Sequence, residues 1–258
     1  VKNLGTTIAV FNQKGGVGKT TTTVNVSAGL AEKGAKVLAV DIDPQGNTTS
    51  GLGVDKNKLK KTIYDVLLGD LSMKEVKKPT PMKNLDLIPS NMDLAGAEIE
   101  LLDINKREYI LRKNLEDIKN DYDYILVDCP PAVNILTLNA LAAANSVLVP
   151  IQCEYYALEG LTHLISTIKL VQQRINPELY IEGIIFTMYD ARTNLSLQVV
   201  EEVKRYFPKE IYTTLIPRNV RLGEAPSHGL PIMLYDEKSK GAESYRLLVE
   251  EILERKEA

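Results

Sequence analysis

The 258-residue chain predicts an α/β fold, a single doubly wound and mainly parallel sheet with helices on both faces, and three observations carry that prediction. Apolar runs of strand length alternate with helical patterns along the chain. The runs are nearly continuous, as in strands covered on both faces. No linker, low-complexity stretch or internal repeat interrupts them, so one domain over residues 1–258 is expected.

Taken in order, the first strand is Thr7-Ile8-Ala9-Val10-Phe11, and it runs into Lys14-Gly15-Gly16-Val17-Gly18-Lys19-Thr20-Thr21. Strand, glycine-rich loop and helix in that order make a phosphate cradle: glycines let successive N–H groups converge on an anion, and the following helix adds its positive end. Lys19 is then within reach of the terminal phosphates, and the Thr20 hydroxyl is placed for a magnesium ion bridging two phosphate oxygens. The plain alternative is a solvated lysine beside a flexible loop, and the flanking strand and helix speak against it.

Thr22 to Lys33 carries Val24, Ala28, Leu30 and Ala31 on a helical period and stops at Gly34. Val37-Leu38-Ala39-Val40-Asp41-Ile42-Asp43 follows as a second strand, completing a βαβ unit. Asp41 and Asp43, two apart, are expected to point the same way before Pro44 turns the chain out, where carboxylates can orient a water or hold magnesium through its water shell. Alternatively, Asp43 only shapes the turn. Residues 53–83 predict a short surface helix between loops, with Lys56, Lys58, Lys60 and Lys61 forming a solvated face.

Leu85-Asp86-Leu87-Ile88-Pro89 is a further strand, and Tyr109 to Lys119 is an amphipathic helix. Tyr124 to Asp128 is a buried strand delivering one aspartate at its carboxyl end, with Cys129-Pro130-Pro131 beyond. Beside the glycine loop, Asp128 is positioned to reach magnesium through a coordinated water. Ser146 to Ile151, Tyr180 to Thr187 and Ile211 to Ile216 bring the strands to about seven, and a long helix spans Leu158 to Arg174.

Composition narrows the class. Apolar residues make up 44% and charged residues 25%, ordinary for a globular protein. No apolar run approaches the roughly 20 residues that span a bilayer, and residues 1–5 lack a signal-peptide pattern. Two cysteines, Cys129 and Cys153, form no disulfide framework, so a cytoplasmic location is expected. A net charge of −3 confines any nucleic-acid surface to a local patch. His163 and His228 have no partner cluster, and no metal or catalytic role is expected of them.

The glycine loop departs from the usual G-x-x-x-x-G-K-[ST] pattern: Gln13 stands at the first glycine position and Lys14 is an added lysine. In this the chain resembles the deviant Walker A branch of the P-loop NTPases, which includes the ParA/Soj partition proteins, MinD and the nitrogenase iron protein. The likeness implies ATP and Mg2+ as ligands, ATP hydrolysis, and a Lys14 that crosses a dimer interface to the partner's nucleotide. Asp41-Ile42-Asp43-Pro44-Gln45-Gly46-Asn47 resembles the second motif of ParA/Soj proteins, whose second aspartate, here Asp43, is needed for hydrolysis.

Cys153 to Gly160, Met188 to Asn194, Ile216 to Arg221 and Glu224 to Gly229 are also similar to ParA/Soj proteins, so the resemblance covers essentially the whole chain. It implies that Pro217 and Asn219 contact the adenine ring and that Arg192 and Arg221 bind DNA without sequence preference, as arginine–phosphate contacts do. Between Arg192 and Arg246 there are nine basic and seven acidic residues, a slight excess. A DNA surface would therefore need Arg192, Lys204, Arg205, Arg218, Arg221, Lys238, Lys240 and Arg246 on one face. The family further implies an ATP-dependent homodimer, non-specific double-stranded DNA, association with the nucleoid, a ParB/Spo0J-type centromere-binding partner and contact with the replication initiator DnaA. The short stretch before the first strand resembles the chromosomal type.

Three rivals share the loop. A MinD-like positioning ATPase attaches to membranes by a basic C-terminal helix, but here residues 250–258 hold four glutamates against two basic residues, so no membrane partner is expected. A redox protein like the nitrogenase iron protein needs cluster cysteines, and Cys129 directly follows the magnesium-site aspartate on a buried strand. A binding switch without catalysis is disfavoured by Asp43.

Overall fold

The computed structural model describes residues 5–257; the signal-sequence reading of residues 1–4, and Ala258 of the carboxyl-terminal stretch, fall outside them. The chain opens with β1 (Thr6–Val10), α1 (Lys19–Glu32), β2 (Val37–Asp41) and the short α2 (Asn47–Gly51). Next come α3 (Ile63–Leu67), α4 (Met73–Val76), β3 (Lys78–Pro79), β4 (Leu85–Ile88), α5 (Leu94–Glu100) and α6 (Ile110–Leu115). β5 (Tyr124–Asp128), α7 (Ile135–Ala143), β6 (Ser146–Gln152), α8 (Ala157–Arg174) and β7 (Tyr180–Tyr189) follow. The chain continues through α9 (Asn194–Tyr206), β8 (Ile211–Pro217), α10 (Val220–Glu224), α11 (Ile232–Tyr235) and α12 (Lys240–Glu257).

The strands form one sheet in the order β3-β4-β2-β5-β1-β6-β7-β8. All pairings are parallel except β3 with β4. The side-chain period of two divides each central strand between two cores. Ala9, Phe11, Leu38, Val40, Ile125 and Val127 face one core, closed by α5 to α9, whereas Ile8, Val10, Val37, Ala39 and Leu126 face the other, closed by α1 and α12. Both faces are covered, as the continuous apolar runs predict. β1 lies between β5 and β6, so the chain crosses over it, and the loop after β1 opens at the switch point where such sheets bind ligands.

α1 is held by residues far along the chain. Tyr245 of α12 shares a 3.2 Å hydrogen bond with the Thr22 hydroxyl, and Asn25 accepts one of 2.8 Å from the Ile232 N–H. Gly29 lets the two helices approach: a Cβ there would lie 2.8 Å from Val249.

Three expectations change. The sheet has eight strands, because Lys78–Pro79 adds a two-residue antiparallel edge, a position that tolerates proline. Residues 53–83 hold a 3-10 turn at Lys56–Lys58 and two short α-helices rather than one helix, α3 being started by a Thr62–Asp65 capping box. The helix expected over Tyr109 to Lys119 is only Ile110–Leu115. Near its end the Asn114 amide donates to the Ile110 carbonyl at 2.9 Å, competition with the backbone that weakens asparagine in helices.

Candidate functional site

The loop after β1 is built on two glycines with positive φ, Gly16 at +76° and Gly18 at +89°. Gly18 also precedes α1, so the first free N–H groups of that 14-residue helix face the loop. Thr187 of β7 fastens the loop from the side, its hydroxyl donating to the Val17 carbonyl at 2.7 Å. The Lys19 side chain folds back and donates to the Lys14 carbonyl at 2.8 Å, which leaves it only 7% exposed. Burial lowers its pKa, while the charges of Asp128 and Asp43 oppose that shift.

Asp128 ends β5 beneath the loop. Its Oδ2 accepts from the Thr20 hydroxyl at 2.8 Å and the Thr48 hydroxyl at 2.7 Å, and its Oδ1 from Thr23 at 3.3 Å. Burial raises its pKa, and the threonine donors act the other way. A hydroxyl and a carboxylate in contact beside a phosphate cradle are an oxygen donor set that suits magnesium. That ion takes one or two protein oxygens with substrate phosphates and water rather than an all-protein cage. No group of three or more histidine, cysteine or carboxylate side chains suited to a metal occurs among the described residues.

Asp41 and Asp43 do not share a role, contrary to the expectation that both face the phosphates. β2 ends at Asp41, and the extended alternation that would align the two ends with it. Asp41 is fully buried and accepts from the Thr49 N–H at 2.8 Å, the Thr49 hydroxyl at 2.7 Å and the Asp43 N–H at 3.2 Å. Burial, and Asp128 on the neighbouring strand, raise its pKa. Asp41 thus braces the turn, while Asp43 lines the cleft with Gly15, Gly16, Lys19, Thr20 and Gln45. The Asp43 backbone is anchored from behind by the Ser90 hydroxyl, which donates to its carbonyl at 2.8 Å.

The cleft has two lobes. The phosphate lobe, about 330 Å³, is bounded by the glycine loop, Asp43, Pro131 and Met188. The second, about 220 Å³, lies between Gly18, Thr187, Ile216, Pro217, Asn219, Leu222 and Tyr245. Its wall is mainly apolar, as a heterocyclic base requires. Met188 borders both lobes with φ at +51°, a conformation uncommon for a side-chain-bearing residue. Asn219 accepts from the Leu222 N–H through Oδ1 at 3.2 Å, which turns its NH2 group away from the helix start it caps.

Lys14 is ion-paired with Glu154 on the loop after β6. The basic residues expected on one face divide into groups. Arg192, Arg218 and Arg221 are exposed around the ends of β7 and β8, beside the second lobe, and Lys238 is exposed in the turn after Asp236. Arg192 is paired with Asp190 at 2.7 Å, and Arg221 with Glu224 at 2.9 Å and Asp236 at 3.3 Å. Lys204 and Arg205 are exposed at the far end of α9, about 15 Å along that helix from its start at 1.5 Å per residue. Lys240 is exposed at the start of α12, and Arg246 further along it is clamped to Glu32 of α1 by two 2.8 Å bonds.

Thr48, Thr49, Ser90 and Thr187 belong to the site and are absent from the motif reading, whereas Glu154 and Met188 lie in stretches similar to ParA/Soj proteins and were given no role there. Thr48 and Thr49 had a signal, since they directly follow the Asp41–Asn47 motif. Ser90 and Thr187 are brought in by the sheet and had none. Both cysteines are buried, and burial pushes the Cys129 thiol far up and the Cys153 thiol to about 12, so both stay protonated.

Comparison with known proteins bears on the whole chain. Residues 5–181 match the family model of an AAA domain. The sporulation initiation inhibitor protein Soj of Bacillus subtilis is 57% identical over 249 residues, 96% of this chain and 98% of that one. The chromosome-partitioning ATPase Soj of Treponema pallidum is 53% identical, covering 98% of each chain. A solved structure from Mycobacterium smegmatis, described as a cobyrinic acid a,c-diamide synthase with bound ADP and magnesium, superposes with a TM-score of 0.87 at 40% identity, over 98% of this chain and 96% of that one.

Proposed function

The chain belongs to the ParA/Soj family of chromosome-partitioning ATPases, and from that premise we propose that it binds magnesium–ATP in the two-lobed cleft and cycles on and off DNA as it hydrolyses it. The observation that carries the reading is the hydrogen-bonded set of Thr20, Thr48 and Asp128 below a buried Lys19, with Asp43 in the same lobe. In this reading Pro217 and Asn219 hold the adenine in the second lobe. Lys19 and the N–H groups of Gly15 to Thr21 hold the phosphates, and Thr20 and Asp128 hold magnesium. Bound there, the ion would supply charge neutralisation to the phosphates.

Asp43 orients the attacking water in line with the bond to be broken. Lys14 acts across an ATP-dependent homodimer, and to reach the other subunit's phosphates it must leave Glu154. Dimerisation also joins two arginine rims into one DNA surface, which doubles the phosphate contacts and steepens the salt dependence of binding. A ParB/Spo0J-type partner stimulates hydrolysis and so releases the DNA. A MinD-like attachment to membrane is disfavoured because the last basic residues of α12 turn inward, Arg255 over the Tyr212 ring at 4.1 Å and Lys256 over Tyr124 at 4.6 Å.

The test is a titration of a non-specific duplex with wild type and Asp43→Ala, with ATP or ADP and magnesium, at two salt concentrations. Salt-sensitive binding with ATP and little with ADP is expected. Equal affinity in the two nucleotide states would overturn the DNA cycle and leave the ATPase standing.

A further inference from the structure

Two consecutive threonines meet two buried carboxylates beside the phosphate lobe. Asp41 and Asp128 are register partners at the ends of β2 and β5. Successive residues of a helix point about 100° apart, so the short α2 turns Thr48 and Thr49 to different neighbours. Thr49 gives its hydroxyl to Asp41 at 2.7 Å, and Thr48 gives its own to Asp128 Oδ2, also at 2.7 Å.

The three hydroxyls on Asp128 are not equivalent. Thr20 lines the phosphate lobe and is given to magnesium in the reading above. Thr23 stands at 3.3 Å, beyond the usual O–H···O range, and shares its hydroxyl with the Lys19 carbonyl at 3.0 Å. Both of these belong to α1, whereas Thr48 comes from the segment that follows Asp43. Thr48 is fully buried, so it touches no ligand and acts only through Asp128.

The segment that carries Thr48 is itself held in place. The Gly46 N–H closes the turn on the Asp43 carbonyl at 2.9 Å, and the Ser50 N–H bonds back to the Gly46 carbonyl at 3.1 Å. From outside the turn, the Ser90 hydroxyl reaches the same Asp43 carbonyl at 2.8 Å. A carboxylate that serves a metal is aimed by the hydrogen bonds on its oxygens, and losing such a partner costs roughly 10–100-fold in metal affinity. We propose that Thr48 is a positioning residue for the magnesium site: its hydroxyl fixes the Asp128 carboxylate against rotation and so sets how strongly the ion is held. The ion's carboxylate is thereby tied to the segment that carries Asp43. The inference rests on the assignment of Thr20 and Asp128 to magnesium. The competing account is that a buried hydroxyl needs an acceptor wherever it lies, and such a bond would support the fold without tuning the metal.

The test is the affinity of the full chain for the fluorescent nucleotide mant-ADP, in EDTA and in saturating Mg2+. The ratio of the two dissociation constants reads the metal's contribution, because the other nucleotide contacts cancel, and it needs no turnover. Wild type is expected to bind more tightly with Mg2+. Thr48→Val keeps the shape of the side chain; it is expected to lose about tenfold or more of that tightening, with its affinity in EDTA within a few-fold of wild type. Thr48→Ser is expected to restore the wild-type ratio, and Thr48→Ala, measured beside the valine variant, to repeat its loss. A wild-type ratio in Thr48→Val and Thr48→Ala, or a loss of affinity that is equal with and without Mg2+, overturns the inference and leaves the magnesium assignment standing. No tightening by Mg2+ in wild type sinks that assignment, and the inference with it.

Discussion

The phosphate lobe and the arginine rim are both made of charged and polar groups, yet they are built on opposite plans. In the lobe and in the layer that supports it, Lys19, Asp41 and Asp128 are buried, and each is held by donors or acceptors that belong to the loop or to α2. At the rim, Arg192 and Arg221 are exposed, and each is paired with a carboxylate two or three residues away. Buried polar groups without partners are expensive, so the lobe must be complete before any ligand arrives. Exposed ion pairs contribute little, so rim arginines can exchange their carboxylates for phosphates at small cost. Rigidity marks the lobe, and exchangeability the rim.

Breaking the lobe should therefore cost far more than breaking the rim. The largest effect is expected for Asp43→Ala: ATP binding within a few-fold of wild type, with single-turnover hydrolysis down by about 10²–10⁴-fold. Lys19→Ala should weaken ATP by about 100-fold, the ~3 kcal/mol of a charged hydrogen-bonded contact, as read by calorimetric titration. Thr49→Val keeps the shape but removes a donor to Asp41 and an acceptor for the Ser90 N–H; denaturant unfolding should show a loss of about 1–3 kcal/mol.

At the rim, Arg221→Ala should leave ATP binding unchanged and lower the salt-dependence slope of DNA binding by about 1 for each arginine removed from contact. The smallest effect is expected for Arg246→Ala. Despite its two-pronged pairing with Glu32, this partly exposed bridge should cost under about 1 kcal/mol. A larger loss there than for Thr49→Val would dissolve the contrast between buried polar groups and exposed ion pairs.

What was legible in the sequence follows the same division. The glycine loop is a run of consecutive residues whose geometry is local, and Asp128 closes an apolar run, so both could be placed from spacing alone. Asp41 was misplaced because the period of two holds only while a strand continues, and β2 stops at that residue. Ser90, Thr187 and Glu154 reach the site across the sheet or from a distant loop. Glu154 lies 140 positions from Lys14, and no local pattern encodes such a meeting. Beyond Arg192 and Arg221, which the resemblance supplied, the basic set was drawn by counting charges, which cannot reveal that α9 carries Lys204 and Arg205 a helix length away or that Arg246 already has a partner in Glu32.

The packing of α1 against α12 has a consequence for the protein's synthesis. The helix that begins at Lys19 completes its core with Ile232, Tyr245 and Val249, which are translated more than 200 residues later. Until those residues leave the ribosome, α1 can pack on the strands beneath it but lacks the layer that α12 lays over that core. Contacts this distant in sequence form late and slowly. The phosphate cradle is thus among the first parts to be made, and the helix behind it among the last to be closed in.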